Sequence, residues 1–362
     1  MRADIQRNVP IAPLTTLRVG GAAKELVVAE RERDLIDAVR DCDARGQRAF
    51  ILGGGSNLLV ADEGFDGRVV RVATKGVEVR HDGEVATLHA AAGEVWDELV
   101  ARAVSDSLAG VECLSGIPGL VGATPIQNVG AYGQEVSDTI TAVRVWDRVT
   151  GSVETMPASA CGFGYRDSVF KREARDRHVV LSVSFALRVG GAAALRYGEL
   201  TRAIERRGET PTLALVRDTV ISLRRAKSMV LDEADADTRS AGSFFVNPVV
   251  DARLAEEVAS RARSLGALRD DETMPRFAAE GGRVKLAAGW LIERAGVAKG
   301  TRLGDAAVSQ KHSLALVNRG HATAREVLAL ARVVRDTVRD RLGVTLTPEP
   351  VFVGFDAGDP LA

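Results

Sequence analysis

Apolar positions recur at helical spacing in residues 31–46, where Leu35, Ile36, Val39 and Cys42 share one face and Gly46 supplies a stop. The short apolar run at 49–52 reads as a strand. Residues 68–73, 85–91, 140–146 and 179–188 are rich in β-branched side chains and predict further strands, with one helix, 94–107, among them. Beyond Pro211 the period turns helical at 213–226, 253–265, 285–295 and 322–342, with strands at 315–318 and 351–354. This order predicts α+β architecture rather than a βαβ ladder, with a domain boundary at 190–215. The acid-rich stretch 231–238 reads as a surface loop.

Composition narrows the class. At 362 residues the chain is too long for one ordinary core, and 46% apolar with 27% charged residues is a normal globular balance. A net charge of −1 leaves no footprint for nucleic acid or an anionic membrane, since the arginine-rich stretches 202–207 and 332–341 also carry acids. Cys42, Cys113 and Cys161 are too scattered for a disulfide framework or a zinc site, and the five histidines show no metal-ligand spacing, so no metal is expected. With no apolar run of membrane-spanning length and no signal-peptide core at the N-terminus, a cytoplasmic protein is expected. GxGxxG opening a βαβ unit, GxxxxGK[ST], HExxH and GxSxG are all missing.

What remains is glycine. Gly53, Gly54 and Gly55 follow the strand at 49–52 and precede Ser56 and Asn57, so converging backbone N–H groups and two polar side chains can make an anion cradle. By itself such a cluster is as readily a bare turn. Residues 116–133, GIPGLVGATPIQNVGAYG, put five glycines, two prolines, an amide pair and one tyrosine into a segment that can run along a flat polar ring system. Two such segments sixty residues apart point to a large phosphate-bearing cofactor.

The segments GGGSNLLV, SGIPGLVGATPIQNVGAYG, FGYRDSVF, AGSFFVNP and TPEPVFVG, in that order across residues 15–354, resemble the UDP-N-acetylenolpyruvoylglucosamine reductases. The resemblance implies an FAD-binding domain of the vanillyl-alcohol-oxidase type in two subdomains, 1–70 and 71–212, and a substrate-binding domain at 213–362. It implies FAD held by Arg18, Gly53, Gly54, Gly55, Ser56, Asn57, Ser115, Gly116, Ile117, Gly122, Ala123, Pro125, Gln127, Asn128, Gly130, Ala131, Tyr132, Gly133 and Arg224. Some oxidases with that domain attach the flavin to a histidine near the first glycine loop; here that loop holds Ser56 and no histidine, so the FAD is expected to be non-covalent. NADPH is the implied hydride source, a sugar nucleotide the implied partner, and a monomer the expected state.

Reducing an enol ether conjugated to a carboxylate needs a hydride donor, a counter-charge and an acid. The resemblance assigns the last two to Arg166, Ser243 and Glu349. Arg166 offers a permanently charged fork, although Asp167 beside it is an equally ordinary partner. A serine hydroxyl is a poor acid and suits only a very basic carbanion or enolate, which is what hydride addition creates. Glu349 lies between Pro348 and Pro350, which restrict its backbone. Tyr197 marks the class whose tyrosine loop closes over the nucleotide, with Gly190 and Gly191 as its hinge, and Lys227, Asn247 and Glu293 are the implied diphosphate ligands. Two departures stand out: Leu17 replaces a frequent aromatic and Val246 a frequent lysine. An FAD oxidase of a small alcohol and a nucleotide-binding module without catalysis remain as alternatives at this level.

Overall fold

The computed structural model describes residues 4–355, 360 and 361. Its chain forms two compact units: residues up to Val9, Ala23–Gly55 and Asp66–Val230 make the first, and Pro10–Ala22, Ser56–Phe65 and everything from Leu231 onward make the second. Among the described residues no helix is long and apolar enough to cross a membrane.

In the first unit, α1 (Glu32–Ala44) buries Leu35, Ala38, Val39 and Cys42, the face its apolar spacing predicts except that Ile36 is only half-buried. α2 (Trp96–Ser105) buries Trp96, Leu99, Val100 and Ala103 in the same core. The main sheet runs Val153–Pro157, Ile140–Asp147, His178–Val189, Val85–Ala91, Val77–Asp82, all neighbours antiparallel, with Leu108–Ala109 also paired to His178–Val189. A second sheet is ordered Gln6–Pro10, Ala22–Ala29, Phe65–Val72, Ala49–Leu52, the last two parallel. The short α3 (Gly198–Glu205), which the periodicity does not predict, packs Leu200 and Ile204 against Leu215, Val216 and Val220 of α4 (Leu213–Ala226). Thr212 starts α4 by accepting the Leu215 N–H at 3.1 Å, a side-chain N-cap. Because its apolar face meets α3 and Cys113, α4 belongs to the first unit although it follows residue 212.

The second unit is built on α5 (Ala252–Ser264), α6 (Ala288–Arg294) and α7 (Ala324–Leu342). A capping box of Thr323 and Glu326 opens α7, and Gly343 in the left-handed region closes it. Leu17 is fully buried here in the core of the second unit, so an aliphatic side chain fills the position where an aromatic is frequent. Ser240–Ser243, Ala315–Asn318, Ala306–Val308 and Arg302–Leu303 form one sheet, and Val351–Val353 pairs in parallel with Leu58–Val60. Two expectations are corrected. The helix at 285–295 starts only at Ala288, because Val284–Leu286 is a strand paired with Val249–Val250 and Arg276–Ala278. The loop at 231–238 is not all surface: Asp237 is buried, accepting from Ser309 Oγ at 2.8 Å and Gln310 N at 2.9 Å and pairing with Arg319.

In the main sheet of the first unit, Asp147 is buried with its two oxygens taken by the Arg177 fork at 2.6–3.1 Å and by the Val149 N–H at 2.8 Å. Arg177, helped by the Val149 and Thr150 N–H groups and opposed by burial, holds this carboxyl far below the usual carboxylate range. A folded-state value below the unfolded one makes the charged form stabilising above about pH 4, and that stability drains away as pH falls. Thermal unfolding of Asp147→Asn is therefore expected to lose part of the decline in midpoint between neutral pH and about pH 3 that the unmodified chain shows. Parallel pH profiles for the two proteins would contradict this account.

Candidate functional site

In the first unit the two glycine segments press on each other. A Cβ on Gly54 would sit 2.7 Å from Gly119 Cα, so only glycine permits this approach. The neighbouring segment is anchored from below. Ser115 Oγ donates to Glu112 O at 2.6 Å, and Trp96 Nε1 to Leu114 O at 3.1 Å. Asp97 accepts the Gly116 N–H at 2.6 Å while gripping Arg217 of α4 through two bonds at 2.7 and 2.9 Å. Ile117 packs on the core, Gly122 and Pro125 are buried, and Ala123 is exposed beside Gly53. Gln127 is half-buried.

Eight described non-glycine residues have positive φ, and four of them are expected site residues: Arg18, Asn128, Tyr132 and Arg166. Left-handed backbone is costly for such side chains and persists where surroundings dictate it. Asn128 is held by Glu135 at 2.8 Å, Gly164 O at 3.0 Å and the Ser137 N–H at 3.1 Å. Arg166 turns its guanidinium onto Gly130 O at 2.6 Å and Asn128 O at 3.4 Å, while Asp167 pairs with Arg172. The ordinary Arg166–Asp167 pair is thus replaced by a cation mounted on the glycine segment. Gly130, Ala131 and Gly133 form the hairpin that carries Tyr132.

Arg224 near the end of α4 donates Nη2 to Met229 O at 2.8 Å, and its Nε, beside Gly116, is enclosed without a hydrogen-bond partner among the described residues. Burial pushes this guanidinium below its usual range. An enclosed donor left unmatched is what an acceptor on a bound group would satisfy, and with the Gly54 approach it fits a flavin dinucleotide. Tyr132 meets Tyr197 edge to face at 5.6 Å, and Lys227 Nζ lies 6.0 Å from the Tyr132 ring. Burial pushes the Tyr132 phenol up to about 12, so it stays a donor throughout the physiological range.

The expected hinge at Gly190 and Gly191 lies in a hydrogen-bonded stretch. Gly190 N–H donates to Ser107 O at 2.8 Å, and Ala194 is tied at both ends, its N–H to Glu112 at 2.8 Å and its carbonyl to Cys113 Sγ at 3.3 Å. Glu112 is fully buried and also accepts from Gly110 N at 2.8 Å and Gln134 Nε2 at 3.0 Å. Sequence reasoning passes over Glu112, Gln134 and Asp97, whose only signal is a lone polar group in an apolar setting.

The second unit holds the remaining expected residues. Ser243 ends a strand opposite Ala315 and is half-buried, followed by Phe244 and Phe245, both buried with rings 5.2 Å apart. The Glu349 N–H donates to Phe244 O at 2.9 Å, and Phe245 bridges to Pro348, so Ser243 and Glu349 come from adjacent segments. Asn57 Nδ2 donates to Glu349 O at 3.3 Å, joining a predicted cofactor residue to the Glu349 backbone, and Ser56 precedes it. Asn247 Oδ1 accepts the Ala288 N–H at 2.9 Å, Val246 N–H donates to Thr347 O at 3.0 Å, and Arg18 pairs with Glu233. Glu293 is exposed and pairs with Lys299 at 3.2 Å.

Comparison with known proteins agrees with both halves. Residues 23–156 match the family described as FAD binding domain, and residues 233–353 match UDP-N-acetylenolpyruvoylglucosamine reductase, C-terminal domain. The chain is 53% identical to the UDP-N-acetylenolpyruvoylglucosamine reductase of Saccharopolyspora erythraea, covering 95% of this chain and 94% of that one. It is 50% identical to that of Streptomyces coelicolor, with 96% and 90% covered. The crystal structure of the reductase from Thermus caldophilus superposes with a TM-score of 0.65 at 27% identity over 98% and 99% of the chains.

Proposed function

The chain belongs to the family of UDP-N-acetylenolpyruvoylglucosamine reductases, and from that membership we propose that it reduces UDP-N-acetylglucosamine-enolpyruvate to UDP-N-acetylmuramate, with NADPH as reductant. Bound FAD, held non-covalently, supplies the hydride that passes to the enolpyruvyl group. Gly53, Gly54 and Gly55 would offer their backbone to its pyrophosphate, residues 115–133 would hold its ring, and Arg224 Nε would donate to it.

The observation that carries this reading is Arg166, fixed in a left-handed conformation with its guanidinium on the carbonyls of Asn128 and Gly130. A cation mounted on the flavin-lining segment is suited to the substrate carboxylate and to the negative charge that grows there as hydride arrives. Ser243 hands its proton to the basic carbon, and Glu349, held by its N–H on Phe244 O, polarises the carboxylate and orients the proton network. Lys227 and Tyr197 meet the diphosphate. Asn247 uses its oxygen on Ala288, so its amide NH2 is what it presents to phosphate. Glu293, exposed and paired with Lys299, plays the most peripheral part.

The test is direct. Purified protein should be yellow, and anaerobic NADPH oxidation should become catalytic only when the enolpyruvyl nucleotide is added. Turnover without it, or with a small alcohol in its place, would overturn the assignment.

A further inference from the structure

Lys227 stands at the C-terminal end of α4, where its Nζ donates to Glu199 Oε2 at 2.7 Å. Both side chains are about one third exposed, so the pair is neither buried nor fully solvated. Glu199 lies in the first turn of α3, two residues after Tyr197, which begins that helix. Tyr197 rests edge-on against Tyr132, and the Lys227 ammonium sits over the same Tyr132 ring. One cluster therefore joins the flavin-lining hairpin, the tyrosine segment, a carboxylate and the ammonium assigned to the diphosphate. Upstream, Ala194 is tied to Glu112 and Cys113, and the tyrosine segment follows it. Arg196, Tyr197 and Gly198 are all exposed there.

We propose that Glu199 is a stand-in for the substrate diphosphate. Its carboxylate occupies Lys227 in the nucleotide-free protein, and an arriving diphosphate must displace it. The inference rests on the assignment of Lys227 to the diphosphate made above. One ammonium cannot serve a carboxylate and a diphosphate equally, and a carboxylate left beside the bound diphosphate repels it. Glu199 thus lowers nucleotide affinity, and its release from Lys227 frees the start of α3, and with it Tyr197, to rearrange. The pair sets a threshold against weakly held anions that carry less charge than a diphosphate.

The experiment is an equilibrium titration of oxidised holoprotein with UDP-N-acetylglucosamine, which lacks the enolpyruvyl group and cannot turn over, followed by flavin absorbance. Glu199→Gln should tighten binding about threefold to tenfold, the scale of one partly exposed charge pair. In a Lys227→Met background the same substitution should tighten binding clearly less, since only the direct repulsion of the diphosphate is then relieved and the carboxylate has no ammonium to occupy. Unchanged or weaker binding by Glu199→Gln overturns the proposal, as does equal tightening with and without Lys227. Glu199→Ala, checked for an unaltered melting temperature, guards against an effect peculiar to glutamine and should tighten binding in the same direction. If unmodified holoprotein shows no response to UDP-N-acetylglucosamine at all, the functional assignment itself fails; a response that is indifferent to Glu199 removes only the stand-in.

Discussion

Ser243→Ala is expected to slow reoxidation of reduced flavin by the enolpyruvyl nucleotide by about 10²–10⁴-fold, the range a positioned general acid supplies. Reduction of the flavin by NADPH should stay near the rate of the unmodified protein, because only the second half-reaction consumes a proton at carbon. Stopped-flow absorbance separates the two halves. Ser243 sits at a strand end, half-buried, and removing its hydroxyl leaves its backbone position opposite Ala315 in place. Equal losses in both halves would show that the residue shapes the segment rather than giving the proton.

Glu112→Ala should strongly destabilise the first unit. The Glu112 carboxylate is fully buried and receives three N–H bonds, from Gly110, Gln134 and Ala194. Truncation strands those donors without water, at a cost of about 3–5 kcal/mol, on the scale of breaking a buried charged network. Urea unfolding followed by tryptophan fluorescence would measure it, with Glu112→Gln in between because its amide keeps one acceptor but points N–H at N–H. A loss below about 1 kcal/mol would mean that solvent reaches these groups after all. The same network ties Gln134, in the hairpin that carries Tyr132, to Ala194 at the root of the tyrosine segment, so Glu112→Ala should also raise the KM for nucleotide.

Some of this molecule is legible in its sequence because the information is local. The helix Leu213–Ala226 and the strands Val85–Ala91 and Ala315–Asn318 appear with the bounds that periodicity and β-branching predict. The two glycine segments announce themselves by density alone. Other features depend on partners far along the chain. Val284–Leu286 reads as helix until its pairing with Val249–Val250 and Arg276–Ala278 is known. α3 has only Leu200 and Ile204 to reveal it, too few for a period to show. Glu112 looks like a stray acid among Val111, Cys113 and Leu114, and its three donors come from positions 110, 134 and 194. Arg166 is ambiguous in sequence because Asp167 adjoins it; in the structure Arg172 takes Asp167.

The second unit draws on three separate stretches of chain, and this has a consequence for how the protein is made. Leu17, Val19 and Leu59, which lie in its core, belong to Pro10–Ala22 and Ser56–Phe65, yet their covering helices come only after Leu231. At ordinary translation speeds of about 5–20 residues per second, the intervening stretch takes roughly 10–30 s to emerge. For that interval the ribosome-bound chain holds out oily side chains, and for longer still the strand Leu58–Val60, whose partner Val351–Val353 lies about 290 residues further along. Cutting the gene between the halves would therefore deprive the C-terminal product of Pro10–Ala22 and Ser56–Phe65, which its core needs, while the N-terminal product would keep every stretch of its own unit.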